Sequence, residues 1–542
     1  MRLIRSVKPS GVERMGRKKR IALVGGGPTA VYTLKNLLQN PGELDITIFE
    51  AGRVAGCGIP YSEEHNTADM MANITSVEIP PVLVSLADWV RSADARLLKR
   101  FGIDREGVGE RDYYPRILIG AYYSDQLERM VKGAAPWHSV AIETETRVLD
   151  VKPNNKGFQV VIEKSKARTT LRFDAVVMAT GHLTEPKRSK RLKGLYRSPY
   201  PVNALTLGKD AAALILGSSL SAIDAAVGLA ARYGKFVGDG EKLSYELDSP
   251  ANKPRLVMAS RKGTVPDSDF FYPIPEEPLM IFTPAQLEKL REGGKTGLLA
   301  RVFKLFKQQL EADDPEFLED LALSRFTPET FAKAYLAMRR TRQGFGAIEA
   351  DYRQSRRDYR DRRVVMWRYT MMRAHEVFGT IVPYLDDRDL ARFQQHLTPV
   401  FADAYGCVPH LSISRLLALH RAGCLDIVAM GDDGTIRYGA GLFTLEADGR
   451  TETFETLIDA RGQRAASISE LGFDNLDRAL ATGDVLRRTN GQSEDDQFRL
   501  RLADRPHADI FCISIPVMME RYPFAQGLVA CSEAAEVVAT AL

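Results

Sequence analysis

A short apolar run, Ile21-Ala22-Leu23-Val24, stops abruptly at Gly25-Gly26-Gly27. Helical spacing follows from about Thr29 to Gln39, Pro41-Gly42 breaks it, and Asp45 to Glu50 alternates as a strand that ends in an acid. This predicts a β-α-β unit. Residues 51–82 are rich in Gly, Pro and Asn and read as mostly loop, with helices over about 84–100 and 117–132. Strands over 145–151 and 157–163 flank an Asn-Lys-Gly turn, and Phe173 to Gly181 reads as a buried strand. A second unit starts at Ala212–Leu216, turns at Gly217-Ser218-Ser219, and continues as a helix from Leu220 to about Tyr233. Residues 234–254 read as an inserted loop before a strand at 255–260. Strand signals then vanish over 284–400, where long charged helical patterns predict a helical insertion. They return at 425–429, 441–446, 454–460 and 509–514, and a last helix runs from about Gly527 to Leu542.

The fold class expected is therefore α/β: two dinucleotide-binding (Rossmann-like) domains with a helical insertion. The boundaries read from the pattern are a flexible basic leader over 1–19, a FAD-binding domain over 20–205, and the first part of an NAD(P)-binding domain over 206–275. The insertion takes 276–400, the NAD(P) domain returns over 401–452, and the FAD domain closes over 453–542. A length of 542 residues suits several domains. A formal net charge of only +4 gives no electrostatic case for nucleic acid, and no apolar run is long enough for a bilayer. Five cysteines, with no C-x-x-C pair, argue against a disulfide framework, a metal site and a thiol relay, and fit a cytoplasmic protein. The Arg-rich stretch over 339–373 reads mainly as a solvated helical face.

Three sets of residues carry the chemistry. In the first turn, Gly25 permits the bend, Gly27 lets backbone approach a pyrophosphate, and Pro28, Thr29 and Ala30 open a helix whose free N–H groups face the phosphates. Glu50 is placed to accept from an adenosine ribose hydroxyl. A second glycine loop, Gly56, Gly58 and Pro60, directly after the acid strand, suits a flat ligand and points to FAD. Asn73 offers an amide to a flavin edge or a substrate, or caps a turn. Val148, on the strand over 145–151, is counted with the cofactor positions. In the second unit Gly217, Ser218, Ser219 and Ser221 form the turn, with Ser219 where a second glycine would stand. Strand 255–260 runs into Arg261 and Lys262, which favours NADPH over NADH because cations suit a 2′-phosphate. Arg116 reads either as an anion-binding arginine or as a domain-interface ion pair.

The motif order GGGPTA, GCGIPYS, MMANITS, YPRILIG, VVMATGH and LGSSLSAIDA resembles a group of bacterial FAD/NAD(P)-binding flavoproteins. The group includes urate-hydroxylase-like proteins and aspartate-type N-monooxygenases, and is more distantly similar to ornithine and lysine N-hydroxylases and Baeyer–Villiger enzymes. The resemblance covers residues 20–275 well and 400–542 loosely. It implies that the second unit takes a nicotinamide dinucleotide, that Thr180 and Gly181 pass beside the flavin, and that Gln526 and Gly527 at the last helix face its pyrimidine end. It also implies the reaction class: a monooxygenase using molecular oxygen to hydroxylate a small polar substrate such as an amino-acid amine, with Asn73, Arg116 and His182 as catalytic candidates. A flavin reductase or dehydrogenase, and a FAD/NAD(P)-binding sensor without turnover, are the alternatives.

Overall fold

A computed structural model describes residues 17–182, 192–208, 211–462, 464–480, 497–525 and 527–542. Most of the basic leader, and Gln526, lie outside the described residues.

The first unit is a five-stranded parallel sheet in the order Ile510–Cys512, Ala175–Met178, Lys19–Val24, Leu44–Phe49, Ser139–Glu143. Alternation along its central strands decides the layers. Ile21, Leu23, Ala175 and Val177 pack on the helix side, with Val31, Leu34, Tyr122 and the last helix, Gly527–Ala541. Ala22, Val24, Val176 and Met178 face the other way onto Val151, Phe158, Val160 and Phe173. Those residues belong to an antiparallel meander of Thr146–Asn154, Gly157–Lys164 and Ala167–Phe173.

The second unit repeats this plan. Its parallel sheet runs Leu195–Tyr196, Thr456–Asp459, Ala212–Leu216, Arg255–Ser260, Leu425–Ala429. Ala213, Ile215, Leu256 and Met258 meet helices, while Ala212, Leu214, Val257 and Ala259 meet Phe443, Leu445 and Phe454. The latter three sit on a second meander, Thr435–Gly439, Leu442–Ala447 and Arg450–Phe454.

This repetition moves two expected boundaries. Thr456–Asp459 pairs with Ala212–Leu216, so the chain returns to the first sheet only after it, not at 453. Leu195–Tyr196 also lies in the second sheet although it precedes 206. The expected loop over 234–254 contains a hairpin, Gly234–Val237 with Ser244–Leu247. The expected helix over 84–100 is two helices, Leu86–Ser92 and Ala95–Arg100, because Ser85 and Asp94 each cap a separate start.

The helical domain leaves the second sheet after Arg255–Ser260 and rejoins it at Leu425–Ala429. Its core is aromatic, with Phe282, Phe303, Phe306, Phe331, Phe378, Phe393 and Phe401 together. The helix Gly344–Asp361 lies instead on the second unit, through Ile348 and Tyr352. The arginine-rich stretch is only partly a solvated face. Arg339, Arg368 and Arg373 are buried. Arg339 bonds Asp267 at 2.7 Å and Asp403 at 2.6 Å, and Arg373 bonds Asp313 at 3.4 Å. Charges enter an interior only with such partners.

Candidate active site

Both candidate crevices open at the carboxyl ends of the parallel strands, where open α/β sheets bind ligands. In the first, the Gly25 amide donates to the Phe49 carbonyl at 2.9 Å, and its φ is +105°. A Cβ there would stand 2.2 Å from the Ala179 oxygen, so no side chain fits. Gly27 caps the helix Pro28–Leu37, and a Cβ on it would meet the Gly58 Cα at 3.3 Å. The two glycine loops thus lie backbone to backbone, and the Gly56 amide donates to the Gly26 carbonyl at 2.6 Å. Glu50 accepts from the amides of Gly26 at 3.0 Å and Gly52 at 2.6 Å. The carboxylate is thereby fixed at the mouth of the turn and keeps lone pairs for a ribose hydroxyl. Pro60 lies in the short helix Gly58–Tyr61, and Ala30 is buried against the sheet. Thr29 donates to the Cys531 sulfur at 3.1 Å, which ties the turn to the last helix. Gly527 starts that helix with φ +83°. Val148 stands on the meander just past Thr146, whose amide donates to the Glu50 carbonyl at 2.9 Å.

The residues just past the strand Ala175–Met178 are pinned by Ser514. Thr180 donates to the buried Ser514 hydroxyl, which donates to the Gly181 carbonyl, both at 3.0 Å. Asn73 sits on Met71–Thr75, and its Oδ1 is buried with no hydrogen-bond partner. His182 has a buried, unpartnered Nδ1, and burial followed by the nearby Arg116 charge lowers its pKa, which keeps the ring neutral. An amide oxygen on the strand Met71–Thr75 and an imidazole nitrogen next to Gly181 are thus open to a ligand with polar edges, as FAD has.

Arg116 is taken up by the protein. It reaches Asp224 at 2.7 Å, the Tyr200 hydroxyl at 3.2 Å and the Met71 carbonyl at 3.3 Å. Tyr200 also donates to Asp224 at 2.6 Å. This geometry is the domain-interface ion pair: Asp224 belongs to the second unit's helix Leu220–Ala230 and Arg116 to the first unit's helix Arg116–Lys132. Burial pushes the Asp224 carboxyl above its usual range, against the pull of Arg116. Tyr200 and Ser514 stand in no motif that singles them out from sequence. The signal available for Asp224 was an acid inside the otherwise apolar run Leu220–Ala230.

In the second crevice the Gly217 amide donates to the Ala259 carbonyl at 2.7 Å, with φ +121°. Gly217 therefore matches Gly25, Ala259 matches Phe49, and the counterpart of Glu50 is Ser260, one residue before Arg261. The Ser218 hydroxyl faces Ser260 Oγ at 2.7 Å and the Thr264 carbonyl at 2.5 Å, so it braces the loops. Ser219 caps the helix with its hydroxyl exposed, and Ser221 engages Tyr200. Arg261 is exposed, whereas Lys262 is half-buried, with its ammonium 3.8 Å from Asp403.

Two glycine turns on duplicated parallel sheets define the fold of an FAD/NAD(P)-binding oxidoreductase. Residues 22–183 match the FAD-NAD(P)-binding family and residues 283–405 the YdhS-like middle domain. The uncharacterized protein YdhS of Escherichia coli (strain K12) is 35% identical over 533 residues, 97% of each chain, and the present chain belongs to the YdhS family. A thiol-specific monooxygenase of Saccharomyces cerevisiae (strain ATCC 204508 / S288c) is 23% identical over 178 residues, 33% of this chain and 37% of its own. Ornithine hydroxylase (PvdA) from Pseudomonas aeruginosa shares the fold, with a TM-score of 0.50 at 12% identity over 96% of this chain and 98% of its own. The flavoprotein family expected from the motifs is thus the one found. Among the described residues no helix is long and apolar enough to cross a membrane, and no cluster of side chains could hold a metal ion.

Proposed function

We propose that the protein is an NADPH-dependent flavin monooxygenase that hydroxylates a small polar substrate such as an amine. The observation that carries this reading is the pair of unpartnered buried atoms, Asn73 Oδ1, two residues from the Met71 carbonyl that Arg116 binds, and His182 Nδ1, whose ring feels the Arg116 charge. FAD, when bound, supplies the hydride acceptor and the centre that activates oxygen. The chain supplies position, dryness and proton handling. Gly25, Gly27 and the helix start at Pro28 hold the pyrophosphate, and Glu50 holds the ribose. Asn73 accepts a hydrogen bond from a cofactor or substrate N–H. His182, held neutral by burial and by Arg116, accepts a proton from the substrate. Arg116 and Asp224 act as positioning residues that lock the angle between the units.

The second unit suits NADPH because Ser260, not an acid, stands where Glu50 stands in the first, and Arg261 follows it. A carboxylate at that place would repel a 2′-phosphate. The disulfide-reductase alternative has little support from the cysteines. Burial raises all five thiols, Cys57 and Cys531 to about 11 and Cys512 to about 12, so none is poised as a thiolate. The thiol-specific monooxygenase relative supports oxygen chemistry in this family of folds.

The test is NADPH oxidation in air with panels of amino acids, amines and thiols, followed by mass spectrometry. A substrate-dependent product heavier by one oxygen, labelled from isotopic dioxygen, is expected. NADPH oxidation that yields only hydrogen peroxide or water with every panel member would contradict the monooxygenase reading.

A further inference from the structure

The loop that follows Arg255–Ser260 is held from outside its own domain. Gln343, just past the helix Pro328–Arg340 of the middle domain, donates its side-chain amide to the Lys262 carbonyl at 2.7 Å. Its chain neighbour Arg342 lines a small cleft at the seam with Thr264, Pro266, Asp267 and Asp351. Lys262 feels burial first and Asp403 in opposition. The charges of Arg339, Arg261 and Arg340 then add to the lowering of its ammonium pKa. Arg339 is spent on Asp267 and Asp403. Arg261, Arg340 and Arg342 are exposed and form no salt bridge with a described residue, although the Arg342 charge reaches Asp267 across the cleft and helps hold that carboxyl below its usual range. A helix C-terminus attracts cations and so accounts for Arg340. It does not account for Arg342, beyond the helix end, nor for Arg261 on the opposite domain. Arg261 and Arg340 thus act on Lys262 from the two domains, and Arg342 lines the cleft beside it, near the end of the strand that, by its register with the first unit, receives an adenosine ribose.

We propose that the middle domain completes the nicotinamide dinucleotide site: Arg340 and Arg342, with Arg261, bind the 2′-phosphomonoester of NADPH. The inference rests on the NADPH reading above and adds that selectivity is shared between two domains. A phosphomonoester carries nearly two negative charges and three acceptor oxygens, which one exposed arginine cannot satisfy. Occupancy of the site would also tie the middle domain to the second unit across the Gln343 contact.

The test is calorimetric titration of the flavin-loaded protein with 2′,5′-ADP and with 5′-AMP, which differ only in that phosphate. The native protein is expected to bind 2′,5′-ADP at least about 10-fold more tightly. The double variant Arg340→Ala/Arg342→Ala should lose most of that ratio while binding 5′-AMP unchanged, and Arg340→Lys/Arg342→Lys should restore part of it. Retained flavin absorbance and a cooperative melt show that the variants are folded. If the double alanine variant keeps the full ratio while Arg261→Ala abolishes it, the phosphate is held by the second unit alone and the inference is overturned. If the native protein shows no preference between the two nucleotides, the NADPH reading fails as well.

Discussion

In the first unit Gly25 bends the chain under the Phe49 carbonyl, and Glu50 stands at the mouth of the turn, held by two backbone amides. In the second unit Gly217 bends under Ala259 in the same way, but Ser260 stands at the mouth and the following cations meet a separate helical domain. The first turn is also locked by a second glycine loop and by the last helix, through the Gly56 amide and the Thr29–Cys531 contact. Among the described residues no second glycine loop hydrogen-bonds the second turn. One architecture is thus finished differently: the first turn is packed against a second glycine loop and the last helix, and the second ends in a serine followed by cations. The lesson is that the residue at the strand end, and what covers the turn, separate the two roles more than the glycine pattern does.

The comparison breaks most sharply at the glycines. Gly25→Ala places a Cβ 2.2 Å from a carbonyl oxygen at a φ of +105°, so the purified variant should carry essentially no flavin by visible absorbance. Gly217→Ala meets the Ala460 oxygen at 2.8 Å and should keep its flavin while NADPH reduces it about 10- to 100-fold more slowly in stopped flow. Next is the bolt between the units. Asp224→Asn strands Arg116 in the interior and should cost about 3–5 kcal/mol in denaturant unfolding, whereas an exposed pair such as Lys132–Glu128 should cost almost nothing.

Ser260→Glu writes the first unit's acid into the second. It should raise the KM for NADPH by about 10-fold or more and leave that for NADH within about a factor of three, measured by anaerobic flavin reduction. The smallest effect is at His182. Because its folded pKa is lowered, its contribution to stability is fully present above the free imidazole range near 6.5 and is lost as pH falls through that range toward the folded value. The melting temperature of the native protein should therefore drop between about pH 7 and 5, and His182→Gln should shallow that slope.

Much of this was legible in the chain. Both glycine turns, the strands feeding them, the acid at Glu50 and the helical insertion follow from local pattern, because parallel buried strands are near-continuous apolar runs that stop at glycine. The strand Thr456–Asp459 was legible as a strand but not as a member of the second sheet. Its sheet is chosen by long-range pairing, and its apolar run is equally at home in either. Half of the two meanders was legible, as the hairpin Thr146–Asn154 with Gly157–Lys164 and the strand Leu442–Ala447; the strands Ala167–Phe173, Thr435–Gly439 and Arg450–Phe454 were missed, since exposed polar positions such as Arg437 and Glu452 weaken their pattern. Arg116 offered two roles on sequence grounds, and only the approach of Asp224 and Tyr200 from another domain separates them. Buried arginines in the insertion were read as solvated for the same reason: their acid partners Asp267 and Asp403 are far away in sequence.

The most direct measurement is the visible spectrum of the purified protein, recorded without oxygen before and after NADPH. The account predicts oxidised-flavin bands that bleach on addition of NADPH, and that bleach more slowly with NADH. A protein with no flavin bands, or with bands that neither nicotinamide nucleotide bleaches even with substrate panels present, would contradict it.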